Sequence, residues 1–392
     1  MSATFLRKMA DLFDVAGLFL HLGATAFGGP VAHLALMEQE VVIKRGWISR
    51  PEFLEMLDIV NPIPGPNPAE MAVLIGYRRA GWPGLLLGGI CFILPAVLIV
   101  SGIGWAYLRF GSLPPAEGML YGIKPVIIAV LVQAMWHLGR AAIKTRLLGI
   151  VCAGATALSC LSNSPLAVLV IAGMFMVLAR ATLRSVKTEP GVTPLLGAKS
   201  GLGPLVPVAA VAPFSLWPMF LFFFKVGAVM FGSGYVLLVF LHTDFVEQRQ
   251  WLTNGQLLDA IAVGQFTPGP LLSTATFIGY VLGGPRAAFV ATVAVFLPAF
   301  VLVAISKPVL PRLRHSQTAC AFFDGVNVAS LALIAVVTWH LGSIVLVDWL
   351  TISLAVASAV WLLFYRVNST WLILGGAAVG LARFVFQYGM GI

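Results

Sequence analysis

Long apolar runs alternate with short polar segments along most of this chain of 392 residues. A helix needs about 20 predominantly apolar residues to cross a bilayer. Runs of this kind predict clear membrane-spanning helices at roughly 15–36, 84–106, 117–139, 216–240, 286–306, 319–341 and 343–365. Shorter or closely joined runs predict further helices at 147–162, 165–180 and 369–386. The pattern therefore indicates an all-α polytopic protein that lies in a lipid bilayer.

The composition excludes a water-soluble protein. Apolar residues make up 59% of the chain and charged residues only 10%, against about 25% charged residues in a typical soluble domain. The mean hydropathy is +0.97. The formal net charge of +9 is attributed to basic loops on the cytoplasmic side of the inner (plasma) membrane, and no nucleic-acid partner is expected.

Neither a cofactor nor a metal ion is expected from the sequence. The four cysteines lie singly in apolar runs, without a histidine at ligand spacing, and are interpreted as small core residues. They are Cys91, Cys152, Cys160 and Cys320.

The chain carries one unit twice, as collinear matches of rare residues show. Phe27-Gly28-Gly29 aligns with Phe231-Gly232-Ser233 and Pro64-Gly65-Pro66 with Pro268-Gly269-Pro270, both at an offset of 204. One residue is then lost, and Trp136-His137-Leu138-Gly139 aligns with Trp339-His340-Leu341-Gly342 at an offset of 203. We therefore expect an N-terminal membrane repeat at 12–182, a cytoplasmic linker at 183–212 and a C-terminal membrane repeat at 213–386.

The basic loops indicate that the two units have opposite orientations. Lys and Arg favour the cytoplasmic side, and they are concentrated in 140–146 of the first unit but in 307–314 of the second. These two loops are expected on one face, with 107–116 and 343–349 on the other. This pattern is typical of inverted-topology repeats, with about ten full spans plus two re-entrant pairs. Random drift of loop charges is the alternative, and the orientation of the N-terminus stays open.

The Pro-Gly-Pro motifs at 64–66 and 268–270 predict broken helices inside the membrane, because proline cannot continue a helix. A half-helix would begin after each motif and present its free N–H groups and positive dipole end, which suits an anion. Gly65 and Gly269 would let the backbone approach a ligand closely. Two such starts predict one binding site near the bilayer midplane, between the repeats. The alternative is a pair of proline kinks that only shape packing.

The candidate substrate-binding residues are the glycines and polar side chains of these breaks, an intramembrane lysine and the arginine that ends the first half-helix. They are Gly28, Gly29, Asn61, Gly65, Asn67, Arg79, Lys225, Gly232, Ser233, Gln265, Thr267, Gly269 and Ser273. A lysine inside a span costs about 2.5–3.5 kcal/mol, so it normally pairs or lines a pathway. Glu70 is the candidate proton-titrating group, and His21 is either a ligand or proton carrier or a core imidazole. Such a mixture of donors with little full positive charge suits a tetrahedral oxyanion.

Taken together, the motifs resemble the chromate transporter family. They are Phe27-Gly-Gly-Pro30, Glu38-x-Glu40-Val-Val, Arg45-Gly-Trp47, Pro64-Gly-Pro-Asn67, Gly76-Tyr-x-Arg79-Ala-Gly81, Phe231-Gly-Ser-Gly-Tyr235 and Gly264-Gln-x-Thr-Pro-Gly-Pro270. The resemblance covers about residues 15–140 and 217–342. It implies a bidomain membrane protein that exports chromate by proton- or anion-coupled exchange and confers chromate resistance. The family usually has Arg or Lys where this chain has His21, which leaves the charge of the first-half site open.

Two other functions remain as alternatives. The first is transport of sulfate or another oxyanion, since size and charge are nearly the same as those of chromate. The second is a membrane-embedded enzyme that uses Glu70 with His137 or His340, although no acid–base pair is assembled in the sequence and we predict a non-enzyme. The coupling ion, which is a proton or a counter-anion, and a homodimeric state stay open.

Overall fold

The computed structural model describes residues 3–27, 29–60, 65, 67–162, 164–185, 213–230, 234–365 and 367–389. Within these residues the chain is helical and contains no strand. Most of the predicted linker at 183–212 lies outside the described residues. In the described part of the chain, six helices are long and apolar enough to cross a membrane, and three shorter apolar helices accompany them.

The described residues of the first half form seven α-helices. They are α1 (Ala3–Thr25), α2 (Pro30–Glu38), α3 (Arg50–Val60), α4 (Asn67–Phe110), α5 (Pro114–Ala142), α6 (Arg146–Leu161) and α7 (Pro165–Ser185). A π-helical segment, Gln39–Lys44, continues α2.

The second half repeats this order. It contains α8 (Leu216–Val229), α9 (Val236–Leu241), α10 (Asn254–Phe266), α11 (Thr274–His315), α12 (Gln317–Val345), α13 (Trp349–Phe364) and α14 (Ser369–Gly389). A π-helical segment, His242–Gln248, follows α9, and a 3₁₀ turn, Leu271–Ser273, precedes α11. The two π-helical segments lie at equivalent positions of the repeat.

The long helices α4 and α11 each reverse direction at a glycine. The backbone leaves the helical region at Ala80 and Gly81 in α4, where Gly81 has φ 66°. The equivalent residues of α11 are Gly283 and Gly284, where Gly284 has φ 69°. A positive φ of this size is favourable only for glycine, so the two reversals have the same cause.

The two arms of each reversed helix pack against each other in antiparallel fashion. A Cβ atom built on Gly76 would lie 2.1 Å from the carbonyl oxygen of Gly84, and one built on Gly88 would lie 2.4 Å from that of Ala72. In α11, the hydroxyl groups of Thr276 and Thr292 lie 2.7 Å apart across the arms. Small residues permit this close backbone approach. Each Pro-Gly-Pro motif is therefore followed by a short arm that folds back on a longer helix.

Helices of each half pack against helices of the other half. Helix α5 of the first half packs against α13 and α14 of the second, and α12 of the second half packs against α6 and α7 of the first. Helices α4 and α11 also contact each other, as do α5 and α12. The buried apolar core is therefore shared between the repeats.

Four sequence-based boundaries are wrong. The run 15–36 is divided, because α1 ends at Thr25 and a new helix begins at Pro30, whose ring fits a first helical position but not a helix interior. The run 216–240 is divided in the same way between α8 and α9. Residues 307–314, predicted as a loop, lie inside α11, which extends past its apolar part. The helix predicted at 343–365 begins only at Trp349, because the side chain of Asp348 caps α13 by accepting the Thr351 N–H at 2.8 Å.

Candidate functional site

The two Pro-Gly-Pro motifs are hydrogen-bonded to opposite repeats. The amide of Gly65 donates to the carbonyl oxygen of Met230 at 2.8 Å, and the amide of Gly269 donates to that of Ala26 at 3.0 Å. Gly65 and Gly269 are equivalent at an offset of 204, and so are Ala26 and Met230. Each motif therefore contacts the point where the first helix of the other repeat ends.

The same glycines also pack against equivalent alanines of the opposite repeat. A Cβ atom built on Gly65 would lie 3.7 Å from the Ala299 methyl group, and one built on Gly269 would lie 2.9 Å from that of Ala96. Both glycines have positive φ, 143° and 99°. Reciprocal contacts of this kind indicate a pseudo-two-fold relation between the repeats.

These hydrogen bonds change the role expected for the two glycines. Their N–H groups are occupied by carbonyl oxygens of the opposite repeat. Any anion held in this place would have to be bound by neighbouring groups, while Gly65 and Gly269 position the chain.

A cavity of about 80 Å³ lies where the motifs meet, and we call it the central cavity. It is lined by both repeats. Apart from prolines and leucines, its lining residues are Gly29, His33, Gly65, Asn67, Gly234, Tyr235, Gly264, Gln265, Thr267 and Gly269. Six of these ten residues were predicted from the sequence as substrate-binding residues, so the structure brings motifs more than 200 residues apart to one place.

The polar groups of the central cavity are mostly neutral donors. The Gln265 amide nitrogen donates to the Tyr235 hydroxyl at 2.9 Å, and its second amide hydrogen has no acceptor among the described residues. The Thr267 hydroxyl donates to the Val263 carbonyl at 2.7 Å. His33 is buried, and neither ring nitrogen meets hydrogen-bond geometry with a described residue. The Ala26 carbonyl is its neighbouring backbone acceptor.

The Glu70 side chain lies against Gly65, at the edge of the central cavity. Its side chain is fully buried, and neither carboxyl oxygen has a hydrogen-bond partner among the described residues. A Cβ atom built on Gly65 would lie 2.1 Å from Glu70 Oε1. Burying an unpaired carboxylate is costly, and a bound proton or cation removes that cost.

The equivalent position of the second repeat has different chemistry. It is occupied by Thr274, whose hydroxyl donates to the Leu271 carbonyl at 2.8 Å. The titratable group therefore belongs to one repeat alone.

Four predicted residues do not line the central cavity. Lys225 is exposed at the surface of α8, with its ammonium 6.0 Å from the centre of the Phe240 ring. Arg79 forms an ion pair with Asp11 at 2.7 Å, His21 is exposed, and Ser273 is buried with no partner for its hydroxyl among the described residues. Four others, Gly28, Asn61, Gly232 and Ser233, lie outside the described residues.

His33, Gly234, Tyr235 and Gly264 also line the central cavity, although they were not predicted from the sequence. Tyr235 and Gly264 lie inside quoted motifs, so their neighbourhood was a signal. His33 had none, because a histidine one turn after a helix start has no distinctive spacing. Within the described part of the chain, no group of three or more His, Cys, Asp or Glu side chains comes together to hold a metal ion.

One family model matches the chain twice. The model described as "Chromate transporter" matches residues 13–178 and again residues 217–381. The two matches coincide with the two helical halves of the structure, so the internal repeat predicted from the motifs is confirmed.

Three named relatives match most of the chain. The "Chromate transport protein" of Cupriavidus metallidurans is 32% identical over 376 residues, which are 93% of this chain and 92% of the relative. The "Probable chromate transport protein" of Synechococcus elongatus is 31% identical over 83% of each chain. The "Chromate transport protein" of Pseudomonas aeruginosa is 31% identical over 87% of this chain and 84% of the relative. No solved structure matches the chain.

Proposed function

This chain belongs to the chromate transporter family, and we propose that it exports chromate through the central cavity between its two repeats. The family and the apolar helices place it as a multi-pass protein of the inner membrane. The proposal is carried by one observation, the meeting of both Pro-Gly-Pro motifs at a buried polar cavity.

The groups around the cavity suit a doubly charged tetrahedral oxyanion. Neutral hydrogen-bond donors can replace part of the anion's hydration shell without binding it too tightly to be released. The Gln265 amide has a second hydrogen that can be donated, and the His33 imidazole supplies a further donor or, when protonated, a positive charge. Among the described lining residues there is no Lys or Arg side chain. We infer that binding relies on oriented dipoles, with Asn67 and Thr267 as further contacts.

We also propose an inverted arrangement of the repeats in the membrane, with about ten full spans and two re-entrant arms. The arms would be Asn67–Arg79 and its equivalent at the start of α11, which fold back at Gly81 and Gly284. The reciprocal hydrogen bonds support a two-fold relation, and a cavity at the ends of two re-entrant arms would lie near the midplane. The linker at 183–212 would then lie in the cytoplasm.

Glu70 is proposed as the coupling group of this transporter. It lies against Gly65 without a polar partner among the described residues, so a proton can bind there beside the substrate. His21, the second coupling candidate, is exposed and outside the cavity. A secondary transporter needs such a group so that movement of the oxyanion depends on movement of a second ion.

Exchange of radiolabelled chromate in proteoliposomes tests the proposal. The purified protein should accelerate exchange, and Gln265→Leu should lose most of it because a donor in the cavity is removed at similar volume. Gln387→Leu, at an exposed position of α14, is the matched control and should exchange as the parent does.

The competing anion identifies the substrate class. Unlabelled chromate should compete better than sulfate. Fast sulfate exchange that chromate does not inhibit would identify a sulfate transporter, and no exchange of either anion by the parent protein would refute the transport proposal.

A further inference from the structure

A polar cavity of about 530 Å³ lies on one side of the central cavity, and we call it the outer vestibule. Its lining includes Tyr107, Glu117, Tyr121, Lys124, Gln256 and Asp259. A second, almost entirely apolar cavity of about 380 Å³, the inner chamber, shares Tyr107, Gly111, Leu120 and Asp259 with it. Asp259 therefore lies at the junction of the two cavities.

The inner chamber reaches the wall of the central cavity through α10. Val263 and Phe266 line the inner chamber, while Gln265 and Thr267 line the central cavity. Asp259 precedes Gln265 by six residues, about 9 Å along the helix axis. One helix thus carries both the junction residue and the proposed substrate contacts.

An ion pair at the junction joins the two repeats. Asp259 of α10 is only 4% exposed. Its Oδ2 atom accepts a hydrogen bond from the Tyr107 hydroxyl of α4 at 2.9 Å. Its Oδ1 atom lies 3.6 Å from the Lys124 ammonium of α5 and has no hydrogen-bond partner among the described residues. The carboxylate of one repeat is therefore held by two residues of the other.

The ion pair between Lys124 and Asp259 has no counterpart at the equivalent positions of the two repeats. The residue equivalent to Asp259 is Glu55, which is exposed, and the residue equivalent to Lys124 is Asn327. The hydrogen bonds of Gly65 to Met230 and of Gly269 to Ala26 are reciprocal, whereas this ion pair is not and so belongs to one side of the molecule.

We propose that Asp259 is a proton-binding site that controls passage between the outer vestibule and the inner chamber. The ionised carboxylate attracts Lys124 and holds α5 and α10 together. A proton from vestibule water converts the carboxylate to the neutral acid, the attraction to Lys124 is lost, and the two helices can separate. Lys124 then faces the vestibule as an unpaired cation where the oxyanion arrives. The proposal rests on the proposed transport function and adds a second ion site to it.

Few other charges act on Asp259. Tyr107 and Lys124 are the titratable side chains of the described residues that contact it. Glu117 and Tyr121 line the same vestibule, but the Tyr121 hydroxyl donates to Asp348, which also pairs with Arg383. Acidification should therefore act on passage through Asp259 itself.

Thiol accessibility measures the passage directly and needs no substrate. In a background without the four native cysteines, the labelling rate of Val263→Cys measures access to the inner chamber. The labelling rate of Val347→Cys, at the exposed rim of the vestibule, is the reference for the reactivity of the reagent. The ratio of their labelling rates with a charged thiol reagent should rise several-fold from mildly alkaline to mildly acidic pH.

Removal of the titratable group should abolish this response. Asp259→Asn should give the high ratio at every pH, and the matched control Glu55→Gln should behave as the parent does. Lys124→Gln removes the other half of the pair and should also give the high ratio, which keeps the test available if one variant does not fold. An Asp259→Asn variant that retains the parent's pH response, or a parent without one, would overturn the gate. Because no chromate is used, failure of chromate exchange would refute the proposed function without deciding this measurement.

Discussion

The amide of Gly65 donates a hydrogen bond to the carbonyl oxygen of Met230, 165 residues away and in the other repeat. Its counterpart joins Gly269 to Ala26. Because these bonds occupy the backbone where each helix is broken, they satisfy polar groups that would otherwise be costly inside a membrane. The breaks are thus built jointly by both repeats, and the central cavity exists only where the repeats are assembled.

Substitution of either central glycine should therefore disrupt the site. Gly65→Ala would place a methyl group 2.1 Å from Glu70 Oε1 and Gly269→Ala would place one 2.9 Å from the Ala96 methyl group, both at positive φ. We expect each variant to lose chromate exchange in proteoliposomes. Gly102→Ala, where a Cβ atom meets nothing within 4 Å, is the control. Exchange at the parent rate in both variants would show that the cavity is not the transport site.

Replacement of Glu70 by Gln should separate coupling from binding. The amide has nearly the same volume but does not titrate, so we expect the variant to bind chromate while transport no longer responds to an imposed pH gradient. Chromate binding by calorimetry and gradient-driven uptake are the two measurements. Gradient-driven uptake equal to that of the parent would exclude Glu70 as the proton site.

Lys225→Ala should have a small effect on transport. The side chain lies at the exposed surface, against the Phe240 ring, where its chain can extend to the membrane interface. We expect exchange within about twofold of the parent, corresponding to less than about 0.5 kcal/mol. A loss as large as that of Gln265→Leu would instead assign Lys225 to the substrate path and require a conformation in which it enters the cavity.

Cysteine labelling should place equivalent loops on opposite sides of the membrane. Lys144 and Val347 are equivalent at an offset of 203 and lie in the short connections that follow α5 and α12. In intact cells, an impermeant reagent should modify a cysteine at one position and not at the other. Modification of both positions from outside would refute the inverted arrangement.

A strained turn offers a stability test that does not involve transport. Gln250 has φ 53° and is the counterpart of Gly46, which has φ 57°. A non-glycine residue in this region costs about 1 kcal/mol, and Gln250 is exposed. We expect Gln250→Gly to raise the thermal unfolding temperature of the solubilised protein and Gly46→Gln to lower it. Opposite shifts would show that side-chain contacts outweigh the backbone.

Hydropathy was sufficient to predict most of the helices, because apolar length is a local property. The predicted segments 84–106, 117–139, 165–180 and 319–341 lie within single helices of the structure, and 147–162 extends one residue past α6. Hydropathy could not find the break at 26–29, since Phe27 and the glycines around it are compatible with an apolar run. That break was visible only as a Gly-Gly-Pro motif whose proline begins α2.

The repeat could also be deduced from sequence, and with it the correspondence of the two Pro-Gly-Pro motifs. Composition and motif identity determined that this is a membrane protein with two related halves, and they predicted that the chemistry lies where the helices break. Tertiary structure decided which candidates meet. Gln265 and Asn67 line one cavity, whereas Lys225 and Arg79 lie elsewhere. Spacing along the chain does not fix the rotation of a side chain about its helix relative to another repeat. The same reason hid the pair between Lys124 and Asp259, 135 residues apart, because only the crossed packing of the repeats brings α5 and α10 together.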